Sequence, residues 1–144
     1  MFSKKSVLTF LMVFALGAFL QAQSVIGTWR TIDDETGEAK SQVTLYKEDG
    51  KLFGKITKLL QKDPETTFCE KCKDHRKGQK VQGMIIVSDL KESGKYWKGG
   101  KILDPNNGKI YTCKLWLDEK NPDKLNLRGY IGPFYRTQEW IRID

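Results

Sequence analysis

Turn-forming residues recur at nearly even intervals along residues 25–143, and most of the stretches between them alternate apolar with polar side chains. A period of two puts successive side chains on opposite faces of an extended backbone, so this rhythm specifies half-buried strands. No coiled-coil heptad, low-complexity segment or long amphipathic helix competes with it. Short antiparallel strands joined by tight turns are therefore expected along most of the chain.

The beginning of the chain follows a different rule. Lys4 and Lys5 precede a largely apolar run from Val7 to Leu20, and the small residue Ala22 comes shortly after. That is the layout of a secretory signal peptide with cleavage after Ala22, giving residues 1–22 as a removed leader and 23–144 as one folded domain. The apolar run is short for a bilayer span, and no second run of membrane length follows. An exported protein, periplasmic or extracellular, is expected. A chain of 122 residues holds a single core and excludes a two-lobed enzyme. Cleavage removes Lys4 and Lys5 and none of the 18 acids, so the formal charge falls from +7 to +5. Because lysines and acids are interleaved without a block of like charge, a solvated face is the reading, and nucleic acid is not an expected partner.

Strands are expected at Val25–Ile32, Ser41–Lys47, Lys51–Leu59, Val81–Val87, Lys95–Leu103, Lys109–Leu117, Lys124–Ile131 and Phe134–Ile143. The breaks include Asp33 to Gly37, Glu48-Asp49-Gly50, Glu92 to Gly94, Asp104 to Gly108 and Gly132-Pro133. Asp-Gly between two alternating runs is the strongest short-range hairpin signal. Asp33, Asp34, Glu35 and Asp104 are read as turn formers rather than acid/base groups. Between Leu60 and Lys80 the rhythm stops, and a segment of this length is either functional or pinned by covalent or metal bonds.

Eight strands in a meander leave two unpaired edges unless the first meets the last. The expected fold is thus all-β, an eight-stranded antiparallel up-and-down meander closing into a barrel, with a long cysteine-containing loop after the third strand. Gly54, Gly83, Gly99, Gly100 and Gly129 suit the bends such closure needs. A barrel of eight strands is either filled by side chains or holds one small ligand.

Several separated motifs then carry a resemblance. Gly27-Thr28-Trp29 with Asp33 to Gly37, Gly99 to Pro105, Asn107 to Tyr111, Arg128 to Gly132 and Arg136 to Trp140 occur in an order that resembles the exported bacterial family called domain of unknown function 2147. The resemblance spans nearly all of the mature chain and implies export and a small β-rich fold, with no established activity. A second resemblance, to lipocalins and related calycin barrels, rests on Gly27-x-Trp29. It implies an indole across the barrel base with an arginine, Arg136 or Arg142, lying over the ring.

Cys69-x-x-Cys72, with His75 close by and Cys113 in a later strand, is the sharpest local feature. In an oxidising compartment a disulfide is the default, within the motif or between Cys113 and one of its members, and the odd total leaves one thiol over. Three thiolates and an imidazole also form a candidate zinc set. Redox exchange is disfavoured without a helix N-terminus to lower a thiol pKa. Serine-nucleophile elbows, phosphate-cradling loops and zinc-protease motifs are absent, so no catalytic residue and no cofactor is expected.

Aromatic residues fall on nearly every expected strand and would fill a small core. If some line a cavity, Trp29, Arg128, Tyr130, Arg136 and Trp140 are the candidate ligand-binding residues, an inward arginine meeting the acidic head of an apolar molecule. Glu139 is a candidate partner for Arg128 or Arg136. The leading functional expectation is non-catalytic binding of a small amphipathic molecule of the envelope. The alternative is a structural or interaction protein with a filled core, and cavity volume separates the two.

Overall fold

A computed structural model of the protein describes residues 24–144. The expected leader, residues 1–22, lies outside the described residues. The elements are β1 (Gly27–Ile32), β2 (Ala39–Glu48), β3 (Lys51–Leu59), β4 (Ile85–Ser93), β5 (Tyr96–Asp104), β6 (Lys109–Leu117), β7 (Lys124–Ile131) and β8 (Phe134–Arg142). Each pairs antiparallel with the next, and β8 returns to β1 through Trp29↔Arg142 and Arg30↔Ile141, closing the barrel. Among the described residues no helix is long and apolar enough to cross a membrane.

The turn chemistry follows the sequence closely. Asp49 and Gly50 both take positive φ, 50° and 76°, the twist that lets Glu48 and Lys51 stay paired across a two-residue hairpin. Asp33 accepts from the Glu35 N–H at 2.9 Å, Asp104 from Asn106 at 2.9 Å and Asp118 from Lys120 at 2.9 Å. These carboxylates are tied up in shaping the backbone. Of the expected corner glycines, Gly54 and Gly100 sit within strands where a Cβ would run into Val87 and into the Ser88 carbonyl.

The fourth strand departs from expectation. It was expected at Val81–Val87 with a turn at Glu92 to Gly94, but it begins at Ile85 and runs to Ser93, where Ser93↔Tyr96 flanks the turn and Glu92 pairs with Trp97. Val81 to Met84 instead forms a turn, Met84 N–H donating to the Val81 carbonyl at 3.1 Å, and is stitched to β3 by Gly83 N–H to Ile56 O (2.7 Å) and Ile56 N–H to Met84 O (2.9 Å). The β3–β4 ladder also shifts register between Leu52↔Leu90 and Gly54↔Val87, and Asp89 takes φ 60°. Each irregularity resets the alternation, so an apolar run there does not mark a strand.

Strand direction gives the barrel two unlike ends. The β2–β3, β4–β5 and β6–β7 turns share one end with Val25 and Ile143, while the β1–β2, β5–β6 and β7–β8 turns share the other with the cysteine segment. Toward the first end the interior is solid. Trp29, Val43, Leu45, Leu52, Val87, Leu90, Leu115 and Leu125 are wholly buried there, and removing such side chains from water contributes about 1.5–3 kcal/mol apiece.

Candidate functional site

Trp29 is the plug of the solid end. It is 0% exposed, and its indole N–H donates to the Val25 carbonyl at 2.9 Å, so its polar atom is satisfied within the chain. The Arg142 guanidinium lies 4.3 Å from the ring centre. Its Nη2 donates to Ser24 O at 2.6 Å and to Pro122 O at 3.3 Å, and its Nε faces the Asp123 carboxylate at 3.4 Å. Of the two arginines expected over Trp29 it is Arg142 that takes the place, because its Cα is the register partner of Trp29.

Toward the opposite end the interior opens into a cavity of about 690 Å³. Its inner wall carries Ile56, Ile86, Ile102, Leu127 and Trp140. Two buried hydroxyls add a polar spot, Thr31 Oγ1 and Ser41 Oγ bonded to each other at 2.7 Å, with Thr31 Oγ1 also donating to the Ser41 carbonyl at 3.4 Å. The mouth is ringed by charges of both signs, among them Asp34, Glu35, Lys62, Glu70, Lys71 and Arg136. Arg136 is paired with Asp34, and Gln138 Nε2 donates to the same carboxylate at 3.4 Å, which ties β8 to the β1–β2 turn.

The five expected binding residues divide. Arg136 and Trp140 line the cavity; Trp29 lies below it as the plug. Arg128 and Tyr130 alternate along β7 with the cavity-lining Leu127 and Gly129 and so point outward. There Arg128 is wedged between Trp116 (5.3 Å) and Tyr135 (4.6 Å) and donates from Nε to Thr137 at 2.8 Å. Tyr130 packs on Tyr135 with ring centres 6.0 Å apart. Glu139 pairs with Lys124 at 2.8 Å, on that outer face, and not with either arginine. Thr31, Ser41, Ile102, Leu127 and Gln138 were not anticipated as lining. The parity of Arg136 and Trp140 along β8 would have pointed to Gln138, which stands between them.

The cysteine segment forms part of the mouth. Cys69 and Cys72 are joined to each other and buried, and Glu70 and Lys71 between them line the cavity. The segment is seated on the β5–β6 turn at Gly108, where the left-handed φ of 72° and a Lys71 carbonyl 1.9 Å from any Cβ leave room for glycine alone. Arg76 fastens it to β4, donating to Ile85 O at 3.0 Å while its fork grips Asp74. That grip holds the Asp74 carboxyl at about 2, below its ordinary value, chiefly through the Arg76 side-chain hydrogen bonds.

The alternatives that involved Cys113 do not assemble. Cys113 is a free thiol on β6, and burial pushes it up to about 12. With Cys69 and Cys72 bonded and His75 exposed, the expected zinc set of Cys69, Cys72, Cys113 and His75 is not brought together. Among the described residues no group of three or more histidine, cysteine or carboxylate side chains could hold a metal ion.

A closed eight-stranded barrel, plugged by a tryptophan under an arginine at one end and hollow at the other, defines the lipocalin-like class. A solved structure, protein HP1028 from the human pathogen Helicobacter pylori, described as belonging to the lipocalin family, matches with a TM-score of 0.71 at 17% identity over 84% of each chain. At that identity the likeness is one of fold. The chain belongs to the family described as "Uncharacterized protein conserved in bacteria (DUF2147)", whose model matches residues 27–142. No curated protein matches it.

Proposed function

We propose that the protein is exported and works as a non-catalytic binding module for a small amphipathic molecule of the bacterial envelope. The observation that carries this reading is the cavity of about 690 Å³ above a solid, tryptophan-plugged base. Its size falls in the range that holds a drug-sized ligand, and its lining is mixed, with apolar side chains such as Ile56, Ile86 and Leu127 beside many polar and charged ones, a division that suits an amphipathic molecule. An apolar body would lie against Ile56, Ile86, Ile102 and Leu127, and a polar head would remain at the charged mouth. Because Arg136 is already paired with Asp34, an acidic head would have to displace that carboxylate or use Lys40, Lys62 or Lys71. Export is supported by the leader-like layout of Lys4 to Ala22 and by the Cys69–Cys72 bond, which suits an oxidising compartment.

The test is a screen of fatty acids, isoprenoids and envelope lipids by thermal shift, joined to native mass spectrometry of protein purified gently from a bacterial periplasm. A bound small molecule, or stabilisation by one class of the screen, is the expected result. Unliganded mass together with no stabilisation by any class would reject the reading.

A further inference from the structure

Positive charges that the sequence spreads apart are brought into line on the outer wall of the barrel. Lys91 pairs with Lys98, Lys98 with Lys114, and Lys114 with Arg128, so four cations stand directly opposite one another on the consecutive strands β4, β5, β6 and β7. Their in-strand neighbours Leu90, Trp97, Leu115 and Leu127 are buried, which turns the four cations to the outside. Adjacent strands lie about 4.8 Å apart, so the row is roughly 14 Å long. Like charges directly opposite each other on one face destabilise a sheet. Nothing in the fold relieves this cost, because the ion pairs among the described residues all lie elsewhere.

The surrounding wall keeps these charges and adds no acid to them. Lys114 sits over the Tyr96 and Trp116 rings at 4.7 and 5.5 Å, and Arg128 over Trp116 and Tyr135 at 5.3 and 4.6 Å. Ring faces hold the two cations in place without neutralising them. On the mouth side the row is bordered by Ser88, Lys101, Thr112 and Tyr130, a register line with a fifth cation of its own. On the plug side stand Ser93, Tyr96, Trp116 and Asn126, and Glu139 beyond Asn126 is already paired with Lys124 at 2.8 Å.

We propose that this row is a binding surface for a linear polyanion, an acidic polysaccharide laid across β4 to β7 with its carboxylates against Lys91, Lys98, Lys114 and Arg128. The polymer removes the repulsion that the free protein carries and releases its own counterions. The row is one residue wide and follows the convex wall of a closed barrel, which suits a chain wrapped around it better than a flat bilayer. Bordering groups on Ser88, Ser93, Thr112, Tyr130 and Asn126 offer hydrogen bonds to sugar hydroxyls. Single-stranded nucleic acid fits less well, since its bases need open ring faces, and those of Tyr96, Trp116 and Tyr135 carry Lys95, Lys114 and Arg128. The row lies on the opposite face of the strands from the cavity, so this inference and the cavity's role fail separately.

The experiment measures binding of the mature protein at low salt to labelled polygalacturonate, to dextran as the uncharged glycan, to polydeoxythymidylate and to phosphatidylglycerol vesicles. Polygalacturonate should bind roughly tenfold or more tightly than dextran, with an affinity that falls steeply as salt is added. The double variant Lys91→Gln with Lys98→Gln leaves the ring contacts of Lys114 and Arg128 in place. It should weaken polygalacturonate binding about tenfold and reduce the slope of log affinity against log salt by roughly one to two, the loss of two contacts. Its unfolding midpoint should equal or exceed the parent's, since two opposed charges are gone. Lys55→Gln with Lys58→Gln removes the same charge from exposed positions on β3 and should bind as the parent does. Equal affinity for polygalacturonate and dextran overturns the inference, as does a row variant that binds as well as the parent or a β3 variant weakened to the same extent. Tighter binding of polydeoxythymidylate or of vesicles than of polygalacturonate overturns the assignment to an acidic polysaccharide.

Discussion

At the scale of single residues, Arg142 does more for the barrel than its place near the end of β8 would suggest. It stacks on Trp29, bonds Ser24 O and Pro122 O, and faces Asp123, so one side chain joins β8, the approach to β1 and the β6–β7 turn. Arg142→Ala should cost about 2–3 kcal/mol, read from urea unfolding, since the stacking and the hydrogen bonds are lost together. Arg142→Lys should recover little, lacking the planar fork that makes several bonds at once. Cys113 has the opposite character. The residue is 1% exposed, and burial pushes its thiol up to about 12 from the 9.0 of an ordinary thiol. Below the ordinary value both folded and unfolded chains keep the proton, so nothing is lost. Between the two values the unfolded chain ionises first, and stability should fall as pH rises through that window. Cys113→Ala should flatten this alkaline loss in a pH series of unfolding midpoints, and native Cys113 should resist iodoacetamide at pH 8 while denatured protein reacts.

At the scale of elements, the cysteine segment is held by short-range devices rather than by a strand ladder. Its fastenings are the Cys69–Cys72 bond, the Asp74–Arg76 pair, the seat on Gly108 and one isolated bridge between Phe68 and Lys80. A bond that closes so small a loop restricts the unfolded chain by about 2 kcal/mol. Reduction, or the double change Cys69→Ser with Cys72→Ser, should therefore lower stability by about that amount and admit protease between Leu60 and Met84 before the strands are cut. Acid should loosen the same segment. The Asp74 carboxyl is lowered to about 2, so its contribution is full above the ordinary value of 3.8 and disappears as pH falls toward 2. Asp74→Asn should show the loosened proteolysis pattern already at neutral pH.

The sequence made most of these elements legible because the turns are written in side chains that act locally: Asp49-Gly50, Asp104, Asn107 and Asp118 each bond or bend their own neighbourhood. What it concealed was β4. There Val81 to Met84 is shaped by Ile56 on another strand, and Asp89 adopts positive φ opposite a shifted register, so tertiary pairing overrides the local pattern. The pairing of Cys69 with Cys72 rather than with Cys113 likewise depends on which residues the closed barrel brings together.

At the scale of the whole molecule, closure creates a site that no single stretch of chain encodes. Arg136 and Trp140 were visible as candidates from aromatic and charged placement, but their division from Arg128 and Tyr130 follows from which face of the sheet becomes the interior. The lining from Thr31 to Leu127 is assembled by the seven other strands meeting around one axis, information that exists only once the register is set. Filling this space should separate binding from folding: Ile102→Trp should abolish ligand-induced stabilisation in the screen while lowering the unliganded free energy of unfolding by no more than the roughly 1–3 kcal/mol that overpacking costs. The ring is sealed by its thinnest ladder, with only Trp29↔Arg142 and Arg30↔Ile141 as register pairs, extended by Thr28 N–H to Asp144 O (3.0 Å) and Ile143 N–H to Thr28 O (2.9 Å). Asp144 thus lies against Gly27 and Thr28, a few residues from Ser24, at the plugged pole. A few-residue linker could splice Asp144 to Ser24, and the circle could be reopened at Gly132-Pro133, giving a permuted chain whose new ends flank the entrance and whose pocket is unchanged.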